Sequence, residues 1–161
     1  MVLVTDSPGG TLAGALELLP AEGFRLEVPP FGRAVYPRGR TVAVLEESLS
    51  LPSALPSLPE GCPAVLSGQD PAAAAFAGER GLLPLDCGLS LRDTLTLSSL
   101  TENSAVVSLQ RPVARLDGTL LEPVELPLAL TRRWEPYPLL CCAGVLLLAP
   151  GAAALPEAGI F

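Results

Sequence analysis

The stretch "CPAVLSGQDPAAAAFAGERGLLPLDCG", residues 62–88, predicts two buried strands on either side of an alanine-rich helix. Asp70 is a typical N-cap, Pro71 suits the first helical position, and Gly81 suits the end of the helix. Two apolar strands joined through a helix form a right-handed parallel crossover. The stretch therefore predicts a layered α/β fold. It leaves open whether the turn that begins at Ser67 binds a nucleotide or only starts the helix.

The segments before this stretch continue the alternation of strands and helices. The pattern predicts, in chain order, a strand at 1–6, a glycine turn, a helix at 11–19, an edge strand at 24–28 and a stronger strand at 41–47. Residues 1–90 are therefore expected to form the parallel, Rossmann-like part of the fold.

After residue 90 the hydrophobic period changes to two, which is typical of antiparallel strands. Within 91–130, "TLTLSSL", "SAVVSLQR" and "EPVELPLAL" predict a three-strand meander, joined through Thr101-Glu102-Asn103 and through the hairpin dipeptide Asp117-Gly118. Residues 137–149 predict an apolar core helix, and residues 150–161 predict a turn with a short helical tail. The whole chain, 1–161, is expected to fold as a single α/β domain.

The composition excludes several kinds of chemistry. All ten basic residues are arginines, and the chain has no histidine. It therefore has no phosphate-loop lysine, no Schiff-base lysine and no histidine to serve as general base or metal ligand. The net charge of −7 argues against binding to nucleic acid. The one basic pair, Arg132-Arg133, is either a solvated turn before Trp134 or a ligand clamp. No cofactor and no metal site are expected.

The cysteines and the apolar runs favour a reducing, non-membrane environment. Cys62, Cys87, Cys141 and Cys142 show no C-x-x-C spacing and follow no secretory leader. We expect free thiols, although Cys141 and Cys142 leave a vicinal redox pair open. The run from Pro138 to Pro150 is too short to cross a bilayer, which takes about 20 residues. These features predict a cytoplasmic protein without a membrane partner.

Ligands of open α/β sheets bind beyond the carboxyl ends of the strands, and several polar residues follow the predicted strands there. A thiol at the end of a strand could also act as a nucleophile, with Arg92 or a helix dipole lowering its pKa. However, the neighbouring acid would raise the pKa of Cys87. The candidate ligand-binding residues are Thr5, Asp6, Ser7, Gly9, Glu46, Ser67, Asp70, Asp86 and Cys87. No catalytic residue is assigned.

Residues 60–149 resemble the second half of the central domain of Mur ligases, the ATP-dependent amino-acid-adding enzymes of peptidoglycan synthesis. The resemblance lies in "AVLSGQDPAAAAFAGERGLLPLDCG", "VSLQRPVARLDGTLLEPVELPLAL" and "PYPLLCCAGVLLLA". In the family's turn an asparagine contacts the adenine. The matching position here is Ser67, Gln69 replaces the first acid, and only Asp70 and Pro71 match. The family's phosphate loop, modified lysine and metal-binding histidine have no counterpart, so the resemblance implies no ligase activity.

The stretch "DCGLSLRDTLTLSSLTENSAVVSLQRP" also resembles a small family of proteins from clostridia-like bacteria, which brings no activity with it. Three functions stay open from the sequence. The first is a non-catalytic binding or interaction domain of bacterial origin, related to the Mur ligase middle domain. The second is a small enzyme that uses an edge cysteine or carboxylate. The third is a self-associating structural subunit, since so apolar a chain can expose an interaction patch.

Overall fold

The computed structural model of the protein describes residues 2–5, 11–19, 25–27, 39–45, 58–149 and 159–160. Its helices are α1 (Thr11–Leu16), α2 (Pro71–Glu79) and α3 (Pro136–Leu148). Its strands are β1 (Val2–Thr5), β2 (Leu26–Glu27), β3 (Val42–Leu45), β4 (Pro63–Ser67), β5 (Leu83–Gly88), β6 (Leu95–Leu100), β7 (Ser104–Leu109), β8 (Val113–Ala114), β9 (Leu120–Leu121), β10 (Val124–Ala129) and β11 (Gly159–Ile160).

The main sheet confirms the predicted α/β class. Its described strands lie in the order β11-β10-β7-β6-β5-β4-β3-β1-β2. The six neighbouring strands from β6 to β2 all run parallel. All four residues of β3 and four of the five residues of β4 are buried, so these two central strands are covered on both faces. The edge strand predicted at 24–28 corresponds to β2, which ends this side of the described sheet.

The step from β5 to β6 is made without a helix. Only the last two residues of β5 pair with the first two of β6, Cys87 with Leu95 and Gly88 with Thr96. A parallel connection normally needs a dozen residues or more, because the chain must return to the start of its neighbour. Here the short loop only has to bring the chain back by a few residues. As a result, β6 continues past the carboxyl end of β5.

The second half of the sheet is antiparallel, because β7 pairs antiparallel with both β6 and β10. The turn at Asp117-Gly118 differs from the prediction. It closes a separate two-stranded sheet of β8 and β9, inserted between β7 and β10. The reason is local: Gly118 has a φ of +86°, and the Asp117 carboxylate accepts hydrogen bonds from the amide and the hydroxyl of Thr119.

The predicted helical tail is also wrong for the two residues near the C-terminus that the structure describes. Gly159 and Ile160 form β11, which runs parallel to the end of β10. The outer edge of β10 offers backbone groups that pairing with another strand satisfies. The other residues of the predicted tail, 150–158 and 161, lie outside the described residues.

Helices cover the two faces of the sheet and define two cores. The larger core lies between the sheet, α1 and α3, and includes Val44, Val65 and Leu85. The smaller core lies on the opposite face, where Ala73 and Ala77 of α2 pack against strand residues such as Ala64 and Leu66. Ala73 and Ala77 are four positions apart, so they share one face of the helix.

The helix α3 is the centre of the larger core and confirms the C-terminal apolar helix of the prediction. Nine of its thirteen residues are buried. Gly144 lets the helix approach the sheet closely, since a Cβ there would lie 3.0 Å from Leu85 Cδ2. The β8–β9 hairpin covers its end, where the Leu116 amide donates to the Leu148 carbonyl at 2.9 Å. Among the described residues, no helix is both long and apolar enough to span a membrane.

Candidate functional site

A cavity of about 540 Å³ opens at the carboxyl ends of β4 and β5. Its walls come from four places in the fold: the first turn of α1, the end of β4 and the turn after it, the end of β5, and the first turn of α3. This volume is within the ordinary range of small-molecule sites. The described lining residues are Thr11, Leu12, Ser67, Gln69, Gly88, Leu89, Glu135, Pro136, Tyr137, Pro138 and Leu140.

The turn after β4 is fixed by its own hydrogen bonds. The Gly68 amide donates to the Cys87 carbonyl at 2.8 Å, which ties the turn to β5, and the Asp70 amide donates to the Ser67 carbonyl at 3.1 Å. The Ser67 hydroxyl accepts from the Gln69 amide at 3.3 Å. Ser67 and Gln69 therefore reach the cavity from a turn of defined shape.

Asp70 shows that the turn after β4 does start the helix α2. Its carboxylate Oδ1 accepts hydrogen bonds from the amides of Ala72 and Ala73, at 2.9 and 3.1 Å. These amides belong to the first turn of α2, where no carbonyl within the helix is available to them. Asp70 is thus the helix cap that the sequence predicts, and it does not line the cavity.

The wall formed by α3 is attached to the sheet by Tyr137. Its hydroxyl donates to the carbonyl of Leu45, the last residue of β3. This bond joins residues 92 positions apart in the chain. Because Leu45 and Tyr137 belong to different layers, the bond holds the start of α3 over the carboxyl end of the sheet.

The first turn of α3 is a poor binding site for an anion. Pro136 and Pro138 have no amide hydrogen, so two of the usual donors at a helix N-terminus are missing. The Leu139 amide donates to the Glu135 carbonyl at 3.3 Å. Glu135 is the N-cap, but its carboxylate makes no capping hydrogen bond. One reason is that the third helical residue, a usual donor to the cap, is Pro138.

Two acidic side chains fix the loop between β5 and β6. The Asp86 carboxylate accepts from the Thr94 amide at 3.0 Å and from the Thr94 hydroxyl at 2.6 Å. The Asp93 carboxylate accepts from the Ser90 amide at 2.9 Å, while the Asp93 amide donates back to the Ser90 carbonyl at 3.0 Å. Both acids therefore act on the backbone of the loop that supplies Leu89 to the cavity.

Asp93 is a residue that the sequence reasoning missed. It is only 5% exposed, and its carboxylate lies over two glycines of neighbouring turns. A Cβ on Gly68 would lie 2.1 Å from Asp93 Oδ1, and one on Gly88 would lie 2.3 Å from Asp93 Oδ2. The spacing Ser90-x-x-Asp93 is the signal that was present, because a reciprocal pair of side-chain and backbone bonds uses this spacing.

Cys87 is placed in the core. Its side chain has no exposed surface and packs in the larger hydrophobic cluster. Burial raises the pKa of the Cys87 thiol well above its ordinary value, and the carboxylates of Asp86 and Asp93 raise it further. The lowering of its pKa by Arg92 that a reactive thiol would require is not found. The other three cysteines are also buried, and none of the four forms a disulfide.

The structure therefore separates the sequence-predicted site residues. Ser67 lines the cavity, Asp70 caps α2, Asp86 fixes a loop, and Cys87 is buried. Thr5 ends β1 at the same edge of the sheet. The remaining four predicted residues lie outside the described residues: Asp6, Ser7, Gly9 and Glu46.

Arg132 and Arg133 do not line the cavity. The Arg132 guanidinium lies 4.2 Å from the centre of the Trp134 ring, and Arg133 is exposed. In the part of the chain that the structure describes, no group of three or more cysteine, aspartate or glutamate side chains is placed to hold a metal ion.

These observations define an α/β protein with a largely parallel sheet and a cavity at the carboxyl ends of its strands. Comparison of the chain with protein-family models, with curated proteins and with solved structures gives no match in any of the three. The resemblance to Mur ligases therefore stays a prediction from the sequence.

Proposed function

We propose that the protein is a non-catalytic binding domain whose ligand occupies the cavity between α1, β4, β5 and α3. The observation that carries this proposal is the position of the cavity. It lies at the carboxyl ends of parallel strands, where the ligands of open α/β sheets usually bind. The helices on the two faces of the sheet also favour the layered, Rossmann-like domain expected from the sequence.

The chemistry of the described lining favours binding over catalysis. It consists of two hydroxyl-bearing residues, an amide, a phenol, a carboxylate and apolar side chains. Nucleophilic catalysis needs an activated thiol, hydroxyl or amine together with a base. Cys87 is buried with a raised pKa, and the chain contains neither histidine nor lysine. This argues against the thiol of the second hypothesis, a small enzyme that uses an edge cysteine or carboxylate.

The proposed origin follows from the sequence. A relation to the Mur ligase middle domain is supported by the Asp70-Pro71 helix start and by the order of elements from β4 to α3. The resemblance of residues 86–112 to proteins of clostridia-like bacteria supports a bacterial origin, and four cysteines outside disulfides support a reducing, cytoplasmic environment.

The experiment is thermal unfolding of the purified protein against nucleotides, UDP-sugars, small anions and small organic amines. A ligand that prefers the native state must raise the melting temperature. Gln69→Trp places a large side chain in the cavity wall, and Glu102→Trp, in the exposed β6–β7 turn, is the matched control. We expect a ligand-induced rise that Gln69→Trp removes and Glu102→Trp retains.

A rise that survives in Gln69→Trp would place the ligand elsewhere, and no rise with any ligand would refute a small-molecule site. Sedimentation of the same samples tests the third hypothesis, a self-associating subunit. Monomers at working concentration would count against it.

A further inference from the structure

The described lining of the cavity carries one formal charge, and it is negative. Among its described lining residues, Glu135 is the only one with an ionisable group other than the phenol of Tyr137. With a net charge of −7, the chain as a whole also attracts cations more than anions.

Backbone groups do not compensate for this negative charge at the start of α3. Pro136 and Pro138 remove two of the amide hydrogens that would otherwise bind an anion there. The Glu135 carboxylate makes no capping hydrogen bond, and Pro138, at the third helical position, offers no donor for one. Asp70, at the start of α2, shows the opposite arrangement, because its carboxylate accepts from two amides. Of these two capping acids, only Glu135 keeps its carboxylate out of the helix cap and lines the cavity.

The rest of the described wall is mostly apolar. Leu12, Leu89 and Leu140 line it together with the two prolines of α3. Tyr137 lies two positions after Glu135, and its ring is held by the hydroxyl bond to the Leu45 carbonyl. An ammonium group is attracted by a carboxylate and by the face of an aromatic ring. Apolar walls favour a ligand with an apolar body.

We infer that the cavity takes an organic amine, with an ammonium group beside Glu135 and an apolar body against the leucine and proline side chains. This inference rests on the proposed function, because it names the ligand class of the same cavity. An organic amine differs from the nucleotide that the Mur-like turn after β4 would suggest. The phosphate of a nucleotide would lie near the Glu135 carboxylate, and no cationic side chain among the described lining residues would offset the repulsion.

The test uses three probes with the same apolar body and different charge: phenylbutylamine, phenylbutanol and phenylbutanoate. Their affinities are measured by NMR titration at neutral pH and low salt. We expect the amine to bind tightest and the carboxylate weakest. An exposed ion pair contributes at most about 1 kcal/mol, so the amine should bind about fivefold tighter than the alcohol. Added salt should reduce this ratio, because it screens the pair.

Glu135→Gln removes the charge at the cavity, and Glu102→Gln removes the same charge from a remote turn. We expect Glu135→Gln to bring the affinity of the amine close to that of the alcohol. Glu102→Gln should leave the ratio unchanged. The affinity of the alcohol should be the same in all three proteins, which shows that the cavity keeps its shape.

The inference would be overturned by a carboxylate that binds as tightly as the amine, or by an equal loss of amine affinity in both variants. Binding of none of the three probes would also overturn it. In that case, binding of a nucleotide or UDP-sugar that is lost in Gln69→Trp would still support the proposed function. Failure of the amine inference can therefore be distinguished from failure of the proposed function.

Discussion

Replacing Gly88 by alanine is expected to destabilise the protein through a single contact, with the carboxylate of Asp93. The new Cβ would lie 2.3 Å from Asp93 Oδ2 and 2.9 Å from its Cγ. The first distance is about 1 Å inside an ordinary van der Waals separation. Asp93 is buried and accepts from the Ser90 amide, so its side chain can move only by breaking that bond. Overpacking and the lost bond together predict a cost of about 2 kcal/mol.

Urea unfolding of a double-mutant cycle measures whether this contact is the cause. Asp93→Ala alone should also cost about 2 kcal/mol, because the Ser90 amide loses a charged acceptor. If the two residues act on each other, Gly88→Ala should cost less than about 0.5 kcal/mol in the Asp93→Ala background, and the coupling should be about 1.5 kcal/mol.

Gly78→Ala is the matched control for the glycine substitution itself. A Cβ at Gly78, inside α2, meets nothing within 4 Å. Since alanine favours a helix more than glycine does, Gly78→Ala should stabilise the protein by about 0.5–1 kcal/mol. Additive costs of Gly88→Ala and Asp93→Ala would refute the reasoning, because the strain would then come from a group other than Asp93.

Three further predictions follow from the helices and the buried thiols. Asp70→Ala should lower the free energy of unfolding in urea by about 1 kcal/mol, while Asp70→Ser should retain most of it, because serine also caps helices. Gly144→Ala should lack the stabilisation expected for Gly78→Ala, because its Cβ would lie 3.0 Å from Leu85 Cδ2 and 3.4 Å from both Val65 methyl groups; a rise in melting temperature equal to that of Gly78→Ala would contradict the close packing of α3. Burial raises the pKa of Cys142 from 9.0 to about 12, so the unfolded thiol ionises first and stability should fall as the pH rises above about 9. Urea unfolding between neutral and alkaline pH measures this slope, and Cys142→Ala should reduce it.

The elements that the sequence predicts well are those whose signals are local. The helix α2 has its cap at Asp70, its first residue at Pro71 and a glycine with a φ of +62° at Gly81, all within twelve positions. The apolar pattern of α3 is equally local. Each of these signals depends on near neighbours in the chain, so it can be recognised without knowledge of the tertiary structure.

The parts that the sequence could not predict depend on distant contacts. The hydrogen bond from Tyr137 to Leu45 joins residues 92 positions apart, and the Asp93 carboxylate covers Gly68, which lies 25 positions earlier in the chain. From the sequence alone, an acidic residue near the end of a strand is equally consistent with ligand binding and with a hydrogen bond that holds the following loop. The position of Asp86 near the end of β5 predicts a ligand-binding residue, but its carboxylate holds the β5–β6 loop through hydrogen bonds to Thr94.

The same hydrogen bonds explain how the cavity keeps its shape. On one side, Asp86 and Asp93 hold the loop that carries Leu89, through hydrogen bonds to Thr94 and Ser90. On the other side, the bond from Tyr137 to the end of β3 holds the first turn of α3. Binding loses affinity when a ligand must order the walls of its own site, and less is lost where those walls are already fixed. In the proposed binding domain, Asp86 and Asp93 therefore act by fixing the position of this wall, and Glu135 is the carboxylate proposed to meet the ligand.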